Sequence, residues 1–499
     1  MIGLLIQDNA YEQDIRELLM SFYPGETYVH ELKEDLEFYV HTGLGNGSIS
    51  VSIWEKADGV LTGDKEVGAG ENACRGTAWR MVMGRTGDSD LSDHSATKNV
   101  VKKMFYQMLW ERTGKSLPWG ALTGIRPTKI ALTRLEEGWP EADIRSFMKD
   151  TYMAGHEKID LSIEIAARER KLLAPIDYEQ GYSLYVGIPF CPTTCLYCSF
   201  TSYPISKWTG RTGLYLEALF KELEYTAGKM RGRPLDTIYM GGGTPTSLPA
   251  EDIDAVLCKL EQLFDTGHAL EFTVEAGRPD SITEEKLKVL RNHGITRISI
   301  NPQTMNQKTL DLIGRRHSVD MVKERFAMAR ELGFDNINMD LIMGLPEEEL
   351  EDVHHTLEEI KNLGPDSLTV HSLAIKRAAR LNMFKDQYGG LKISNTPEMI
   401  DLSAACAREM GMEPYYLYRQ KNMAGNFENV GYSLPGKACI YNILIMEELQ
   451  TIAACGAGTT TKVVFPSENR RERCENVKEV EQYISRIDEM IGRKEQIFP

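Results

Sequence analysis

The sequence predicts an α/β fold built around a parallel β-sheet in residues 181–380. Six short, apolar and β-branched segments alternate there with helical patterns, as buried parallel strands alternate with their crossover helices. Apolar residues in those helices recur at i, i+3 and i+4, for example at Ile253, Val256 and Leu257. Such a series forms a parallel sheet, either open or curled into a barrel, whose functional groups collect at the carboxyl ends of the strands.

Two further segments flank this sheet. Residues 1–175 predict an α+β domain of unassigned role. Residues 381–499 predict a mixed, substrate-covering region that ends in an amphipathic helix at Val477–Ile491. The strands predicted for the sheet are Ser183–Ile188, Thr237–Met240, Glu271–Glu275, Arg297–Ile300, Asn336–Ile342 and Ser367–Leu373. The N-terminal elements predicted are strands at Ile2–Ile6 and Ser48–Trp54 and helices at Tyr11–Phe22, Ala96–Thr113, Pro127–Glu137, Glu141–Tyr152 and Ile159–Leu173.

Composition and charge limit the classes of function. The chain of 499 residues carries a formal net charge of −16, which argues against nucleic acid or an anionic membrane as partner, because those partners require a basic surface. A negative net charge is still compatible with a local basic pocket that binds an acidic small molecule. No apolar run approaches the roughly 18 residues of a membrane span, and the N-terminus lacks the features of a signal peptide, so we expect a cytoplasmic location.

Three cysteines follow the first predicted strand of the sheet in a CxxxCxxC pattern. Cys191, Cys195 and Cys198 are close enough in sequence for their thiolates to converge on one centre, and soft thiolates select zinc or an iron–sulfur cluster. A structural zinc site normally has a fourth cysteine or histidine at fixed spacing, and the next histidine here is His268. Three ligands would leave one iron of a [4Fe–4S] cluster open to an external ligand. The pattern therefore favours the cluster over zinc.

A cysteine triplet of this spacing after a first βα strand resembles the radical S-adenosylmethionine (radical SAM) superfamily, whose fold is a partial (β/α)6 barrel. The resemblance implies a [4Fe–4S] cluster on Cys191, Cys195 and Cys198, with S-adenosylmethionine on the open iron. In that superfamily, one-electron reduction cleaves S-adenosylmethionine to methionine and a 5′-deoxyadenosyl radical, which abstracts a hydrogen atom from the substrate. The protein orients the reactants and excludes water.

Other segments resemble one branch of that superfamily in their order and spacing. The second strand ends in YMGGGTPT at 239–246, and GGGTPT is typical of the oxygen-independent coproporphyrinogen III dehydrogenase family. By these motifs the chain is identified as a member of that family. The remaining matching segments are YVGIPFC at 185–191, VEA at 274–276, RISINPQ at 297–303, GRRH at 314–317 and NMDLIMGLP at 338–346.

The resemblance also implies an S-adenosylmethionine site. The glycines at the end of the second strand resemble the superfamily's site for the methionine amino group, and glycine lets the backbone approach a ligand closely. Arg315 is implied to hold the methionine carboxylate, and Asp340 and Gln303 to bond the ribose hydroxyls. The backbone at Ala374 is implied to meet the adenine edge. The full set implied is Tyr185, Tyr197, Gly242, Gly243, Thr244, Glu275, Gln303, Arg315, Asp340 and Ala374.

Several departures bear on the branch within the family. Gly187 replaces the histidine of the family's HIPFC, and Ser199-Phe200 follows Cys198 where the dehydrogenases have x-Cys. The segment at Tyr441 lacks the histidine and tryptophan of the haem chaperones' HNxxYW motif. The long segment before the cysteines and LAIKR at 373–377 resemble the HemZ type best.

HemZ-type membership implies oxygen-independent oxidative decarboxylation of coproporphyrinogen III, a tetracarboxylate, to protoporphyrinogen IX. It also implies a low-potential electron donor such as a flavodoxin or ferredoxin. Lys376, Arg377 and Arg380 follow the last predicted strand and are candidate anchors for the substrate carboxylates, with a solvated helix face as the alternative. The aromatic and basic segment at 415–421 predicts either a cap over a macrocycle or a core strand.

Two alternative functions remain open from the sequence. One is a haem-binding or haem-delivery protein that keeps the cluster without decarboxylating a porphyrinogen. The other is a radical SAM enzyme that acts on a different substrate, for example a methyltransferase.

Overall fold

The computed structural model describes all residues of the chain except 46, 58–78, 125, 377–378, 385–387, 421–426 and 499. The chain divides into two units, Met1–Ile163 with Arg419–Asn422, and Glu164–Tyr418 with Met423–Pro499. Each unit has its own sheet. The cysteine triplet and the family motifs lie in the second unit.

The first unit has an α+β architecture. Its strands, among the residues described, are β1 (Ile2–Ile6), β2 (Tyr28–Val29), β3 (Phe38–Gly45), β4 (Ser48–Lys56) and β5 (Trp79–Asp88). They form one sheet in the order β2-β1-β3-β4-β5, in which β1 runs parallel to β2 and β3, and the other pairs are antiparallel. The predictions of β1 and β4 are confirmed. The strands β3 and β5 were not predicted, because neither has a clear apolar alternation. The strand β3 ends in a glycine-containing stretch, and most side chains of β5 are at least partly exposed.

The helices predicted for the N-terminal segment are all present, with ends that differ by at most three residues. Asp93 begins the longest of them as an N-cap that accepts from the backbone of Ser95 and Ala96, and Gly114 ends it in a left-handed conformation at φ 68°. These helices are α1 (Glu12–Phe22), α2 (His94–Thr113), α3 (Thr128–Glu136), α4 (Glu141–Tyr152) and α5 (His156–Leu172).

The sheet of the second unit contains the six predicted strands, in the predicted order. Each pairs in parallel with the next in sequence, from β6 to β9, β10, β11, β12 and β13, apart from two short strands in the loop after β6. A consecutive order without a reversal is that of a barrel-type sheet and differs from a doubly wound sheet. These strands are β6 (Tyr182–Ile188), β7 (Phe190–Cys191), β8 (Tyr203–Pro204), β9 (Leu235–Gly242), β10 (Glu271–Gly277), β11 (Arg297–Ile300), β12 (Ile337–Met343) and β13 (Ser367–Ser372).

Helices connect the parallel strands. In α7, Ile253, Val256, Leu257 and Leu260 are buried, which confirms the predicted apolar face. Gly364 ends α11 in a left-handed conformation at φ 67° and so turns the chain into β13. The helices are α6 (Thr212–Lys229), α7 (Ala250–Leu263), α8 (Glu284–Asn292), α9 (Gln307–Leu312), α10 (Val319–Glu331), α11 (Leu350–Leu363) and α12 (Arg380–Met383).

The C-terminal residues extend this sheet at both edges. The strands β14 and β15 add to β13, whereas β16 runs parallel to β6 and is followed by the antiparallel β17 and β18. The single helix predicted at Val477–Ile491 is wrong, because the backbone of Arg486 leaves helical geometry at ψ 25° and divides it in two. The elements are α13 (Pro397–Glu409), β14 (Glu413–Tyr418), β15 (Asn429–Ser433), α14 (Ile440–Glu447), β16 (Thr451–Cys455), β17 (Thr460–Phe465), β18 (Arg470–Glu475), α15 (Val480–Ser485) and α16 (Ile487–Glu495).

None of the described helices combines the length and the apolar character that a membrane crossing would require.

Candidate functional site

The cysteine triplet lies in a loop at the carboxyl end of β6. Cys191 ends β7, which pairs with β8 and so closes the base of the loop. Leu196 anchors the loop from within: its side chain is 3% exposed and packs against Ile313, Leu345 and Leu373. Its amide also donates to the carbonyl of Ile313 at 2.9 Å. The loop is therefore fixed in position by ordinary core packing.

The three thiols are largely shielded from water. Cys195 is buried, and Cys191 and Cys198 are half-buried. Burial raises the pKa of Cys191 to about 11, with a smaller contribution from its neighbouring thiols, and burial also raises the pKa of Cys198. Metal binding must therefore displace protons from these thiols, since only the thiolate is a ligand.

The spacing of the three sulfur atoms distinguishes between the two metal centres that the sequence left open. The sulfur atoms do not all lie within 4.8 Å of one another. A tetrahedral zinc ion with bonds of about 2.3 Å would hold its sulfur ligands about 3.8 Å apart. A [4Fe–4S] cluster, in which each thiolate binds a different iron, needs a wider set. The spacing therefore argues against a single zinc ion bound by all three thiols.

Arg278, which the sequence analysis missed, lies beside the cysteine loop. Its guanidinium is 3% exposed, donates to the carbonyl and hydroxyl of Thr193 at 3.0 and 2.7 Å, and lies 3.6 Å from the sulfur of Cys195. Asp280 accepts from its other two nitrogens at 2.9 and 2.6 Å. The one available signal was an arginine placed directly after a predicted strand at the site's edge. A buried cation here stabilises negative charge on the sulfur ligands.

The glycine-rich turn after β9 packs against the same loop. The amides of Gly243 and Thr244 donate to the carbonyls of Ile188 and Phe190 at 2.8 and 2.7 Å. A Cβ on Gly243 would lie 2.6 Å from the carbonyl oxygen of Phe190. The glycine is therefore required by the close approach of two backbone segments. Gly242 adopts φ 106°, a conformation that favours glycine.

Glu275 lies at the end of β10 in an aromatic enclosure. The hydroxyl of Tyr239 donates to its Oε1 at 2.6 Å. The rings of Tyr239 and Tyr441 stack at 4.6 Å, and Tyr185 stacks on both at 6.0 Å. Burial raises the pKa of Glu275 to about 7, while the hydrogen bond from Tyr239 opposes that rise. The carboxyl group therefore changes charge near neutral pH.

Gln303 follows β11 and lies next to Asp340, which is within β12. The amide of Gln303 donates to the carbonyl of Asp340 at 3.0 Å, and its backbone is held at φ 70°, which is strained for a residue with a side chain. Its buried Oε1 has no hydrogen-bond partner among the described residues. Burial opposes ionisation of Asp340, but His371 and Asn338 outweigh it and keep the pKa of Asp340 below its ordinary value. A strained backbone and an unpaired buried oxygen are features of a ligand site.

Arg315 joins this group to the cysteine loop. It is buried, and its terminal nitrogens donate to the hydroxyl of Tyr197 at 3.0 Å and to the carbonyl of Asn301 at 2.6 Å. Its Nε has no hydrogen-bond partner among the described residues. Part of the guanidinium fork is thus used within the protein, so a bound carboxylate would meet only the remaining N–H groups.

A cleft of about 730 Å³ opens beside the cysteine loop. Residues 192–194 of the loop form part of its wall, and four cationic side chains line it: Lys207, Arg315, Arg316 and Arg380. Lys207, Arg316 and Arg380 are exposed, and within the described part of the chain no carboxylate forms an ion pair with them. Asp311 also lines the cleft, so four cations and one carboxylate give it a net positive charge in an acidic protein.

The other candidate residues are distributed as follows. Ala374 follows β13 and is half-buried. Lys376 is exposed, does not line the cleft, and lies 5.7 Å from the ring centre of Phe200, whereas Arg377 lies outside the described residues. In the segment at 415–421, the described residues favour the core strand, because Tyr415 and Tyr416 are buried within β14.

Together these residues fit a cluster and S-adenosylmethionine. The fit rests on the wide thiol spacing and on the unpaired buried atoms Gln303 Oε1 and Arg315 Nε. A parallel barrel-type sheet with a three-cysteine loop after its first strand defines a radical SAM protein. The family model for the radical SAM superfamily matches residues 185–360. Radical SAM proteins use a [4Fe–4S] cluster and S-adenosylmethionine.

Within that superfamily the chain belongs to the HemZ family. It is 43% identical over 506 aligned residues to the oxygen-independent coproporphyrinogen-III oxidase-like protein HemZ of Bacillus subtilis, covering 99% of this chain and 97% of that protein. The haem chaperone HemW of Bacillus subtilis is 38% identical over 39% of this chain and 51% of its own length. The solved structure of coproporphyrinogen III oxidase (HemN) from Escherichia coli has the same fold, with a TM-score of 0.51 at 24% identity over 63% of this chain and 71% of that one.

Proposed function

We propose that the chain catalyses the oxygen-independent oxidative decarboxylation of coproporphyrinogen III to protoporphyrinogen IX. The observation that carries this proposal is the cleft of about 730 Å³ with Lys207, Arg315, Arg316 and Arg380 along the cysteine loop. Its volume lies in the range of roughly 300–1,000 Å³ that is usual for small-molecule sites. Three of these cations, Lys207, Arg316 and Arg380, are exposed, and such a group suits a substrate that carries several carboxylates.

In the proposed reaction, each of two propionates loses one hydrogen atom from its β-carbon, its carboxylate as CO2, and one electron to a one-electron acceptor, and a vinyl group remains. When bound, the cluster and S-adenosylmethionine would supply the hydrogen-atom abstraction, with an electron from a low-potential donor of the flavodoxin or ferredoxin type.

The residues of the chain supply position and charge. Arg316 and Arg380 hold propionates at the edge of the cleft, while Arg278 balances the negative charge of the cysteine loop. Glu275, Gln303 and Asp340 bind S-adenosylmethionine through its amino group and ribose, as the family motifs imply.

This proposal is tested by the kinetics of cleft variants. The Arg316→Met/Arg380→Met protein should show a KM for coproporphyrinogen III that is about 10-fold higher, because two exposed charge contacts worth up to about 1 kcal/mol each are lost. The matched control is Lys288→Met, which removes an exposed cation that forms an ion pair with Glu284 on α8. An unchanged KM in the double variant, or an equal rise in the control, would contradict the assignment of the cleft.

Haem delivery is the second candidate, and a specific observation favours it. The identity to the haem chaperone HemW of Bacillus subtilis is 38% over 195 residues, compared with 33% over 196 residues to the oxygen-independent coproporphyrinogen III oxidase of Escherichia coli. Stoichiometric haem binding by cluster-loaded protein, with no decarboxylated porphyrin, would replace our proposal with this one. A methylated product would indicate a third function.

A further inference from the structure

A group of potential metal ligands lies on the outer surface of the sheet's helical layer, away from the cysteine loop. Asp254 and Cys258 are one turn apart on α7, and His293 is the C-cap residue of α8. One ligand atom from each lies within 4.8 Å of the others. Because α7 and α8 lead back to the amino ends of β10 and β11, the group is near the edge of the sheet opposite the cysteine loop.

The histidine is already oriented toward the other two residues. Its ring is only 11% exposed, its Nε2 lies 2.9 Å from Asp254 Oδ1, and its Nδ1 lies 2.8 Å from Glu261 Oε1. A carboxylate that accepts from Nδ1–H fixes the ring so that Nε2 faces a metal, which is the usual outer support of a histidine ligand.

Cys258 adds a soft ligand at the same point. Its sulfur lies 3.9 Å from Asp254 Oδ2. Among the cysteines that the structure describes, Cys258 alone is exposed. Free cysteine is normally among the most buried residue types, so an exposed thiol beside an oriented histidine is unusual.

We propose that Asp254, Cys258 and His293 form a site for a zinc-class divalent ion, with Glu261 as a positioning residue. A mixed sulfur, nitrogen and oxygen set suits Zn²⁺, whose fourth position water can fill. Ligand bonds of about 2.0–2.3 Å separate neighbouring ligand atoms by roughly 3.3–3.7 Å. The contact of 2.9 Å between His293 and Asp254 would therefore lengthen on metal binding, and the contact of 3.9 Å between Cys258 and Asp254 would shorten. The bound ion would link α7 to α8. This inference does not depend on the proposed function.

The alternative is an ion pair in which a protonated His293 joins the two carboxylates. The zinc site and the ion pair are distinguished with cluster-loaded full-length protein, because the thiols of the cysteine loop are then occupied and do not bind added zinc. Dialysis against micromolar ZnCl2 and metal analysis should give one zinc per chain beyond the cluster iron. Cys258→Ala and His293→Gln should each abolish this zinc, and Glu261→Gln should weaken its binding by about 10–100-fold. The matched control is His268→Gln, which removes an exposed histidine that lies 2.8 Å from a carboxylate oxygen of Asp265.

A second readout covers the case in which His293→Gln fails to fold. Zn²⁺ should slow the alkylation of Cys258 by iodoacetamide in the wild-type protein, as measured on its own peptide by mass spectrometry. The proposal is overturned if Cys258→Ala keeps the zinc, or if zinc leaves the alkylation rate of Cys258 unchanged.

Discussion

The hydroxyl of Tyr239 donates to Oε1 of Glu275 at 2.6 Å, and this hydrogen bond favours the charged form of a carboxyl group that burial would keep neutral. Burial raises the pKa of Glu275 to about 7, the hydrogen bond from Tyr239 lowers it, and the nearby charge of Asp340 raises it. The carboxyl group is therefore neutral below about pH 7 and negative above it.

S-adenosylmethionine should bind more tightly as the pH rises through 7, because an ionised Glu275 attracts its cationic amino group. In Tyr239→Phe, the hydrogen bond that favours the carboxylate is lost, so the midpoint should move up by about one pH unit. Equilibrium dialysis of labelled S-adenosylmethionine over a pH series measures the midpoint. The control is Tyr441→Phe, whose ring stacks on Tyr239. Equal midpoints in the two variants would rule out this role for the Tyr239 hydroxyl.

Replacing Arg278 by Gln should weaken the cluster. The variant loses the cationic contact to the sulfur of Cys195 and the two bonds to Thr193, which together hold the loop and balance its charge. Iron retention under a chelator should fall about 10-fold, and the reduction potential should become more negative because a nearby positive charge is gone. Iron analysis and a redox titration followed by electron paramagnetic resonance check this. Arg278→Lys keeps the positive charge, so its reduction potential should lie closer to that of the wild-type protein. A wild-type reduction potential in Arg278→Gln would contradict this role for the charge.

A methyl group on Gly243 should displace the cysteine loop. The added Cβ would lie 2.6 Å from the carbonyl oxygen of Phe190, directly before Cys191. We expect Gly243→Ala to lose about 1–3 kcal/mol of unfolding free energy and much of its iron after reconstitution. Gly228→Ala in α6, where nothing lies near the new atom, should gain up to about 1 kcal/mol and keep its iron. Full iron loading of Gly243→Ala would show that the close approach is not required.

The C-terminal helix α16 should be essential for stability. Lys494 and Glu222 form an ion pair at 2.8 Å, and both side chains are fully buried. Lys494→Met leaves an unpaired buried carboxylate and should cost about 3–5 kcal/mol in anaerobic chemical denaturation. Breaking the exposed Lys288–Glu284 pair should cost less than about 0.5 kcal/mol. If the loss is due to the stranded charge, Glu222→Gln/Lys494→Met should recover part of it; equal losses in the single and double variants would contradict that cause.

The central sheet could be predicted from the sequence because its strands are short, apolar and regularly separated by helices. The added strand β16 could not, since its partner β6 lies more than 250 positions earlier in the chain and local periodicity carries no information on such pairing. Gly187 illustrates the same limit. The sequence shows a glycine where the family has histidine, but only the structure shows Thr459 in the space, 2.5 Å from where a Cβ would be.

The candidate site was predicted through motifs whose residues the fold does bring near one another. The motifs assign these residues to one site, and the fold brings Gln303 next to Asp340 and Arg315 next to Tyr197. Arg278 belongs to none of the motifs, and its role depends on a contact with Cys195, 83 positions earlier in the chain. Nor could the motifs separate Arg380, which lines the cleft, from Lys376, which does not.

The most direct test of the proposed reaction is an isotope experiment. Coproporphyrinogen III that carries deuterium on its propionate β-carbons is incubated anaerobically with reconstituted protein, S-adenosylmethionine and a reductant, with Cys195→Ala as control. We predict that 5′-deoxyadenosine gains deuterium, that the porphyrinogen loses two CO2, and that both changes are absent in the control. Cluster-dependent 5′-deoxyadenosine without deuterium, and with intact porphyrinogen, would contradict the assignment of this substrate.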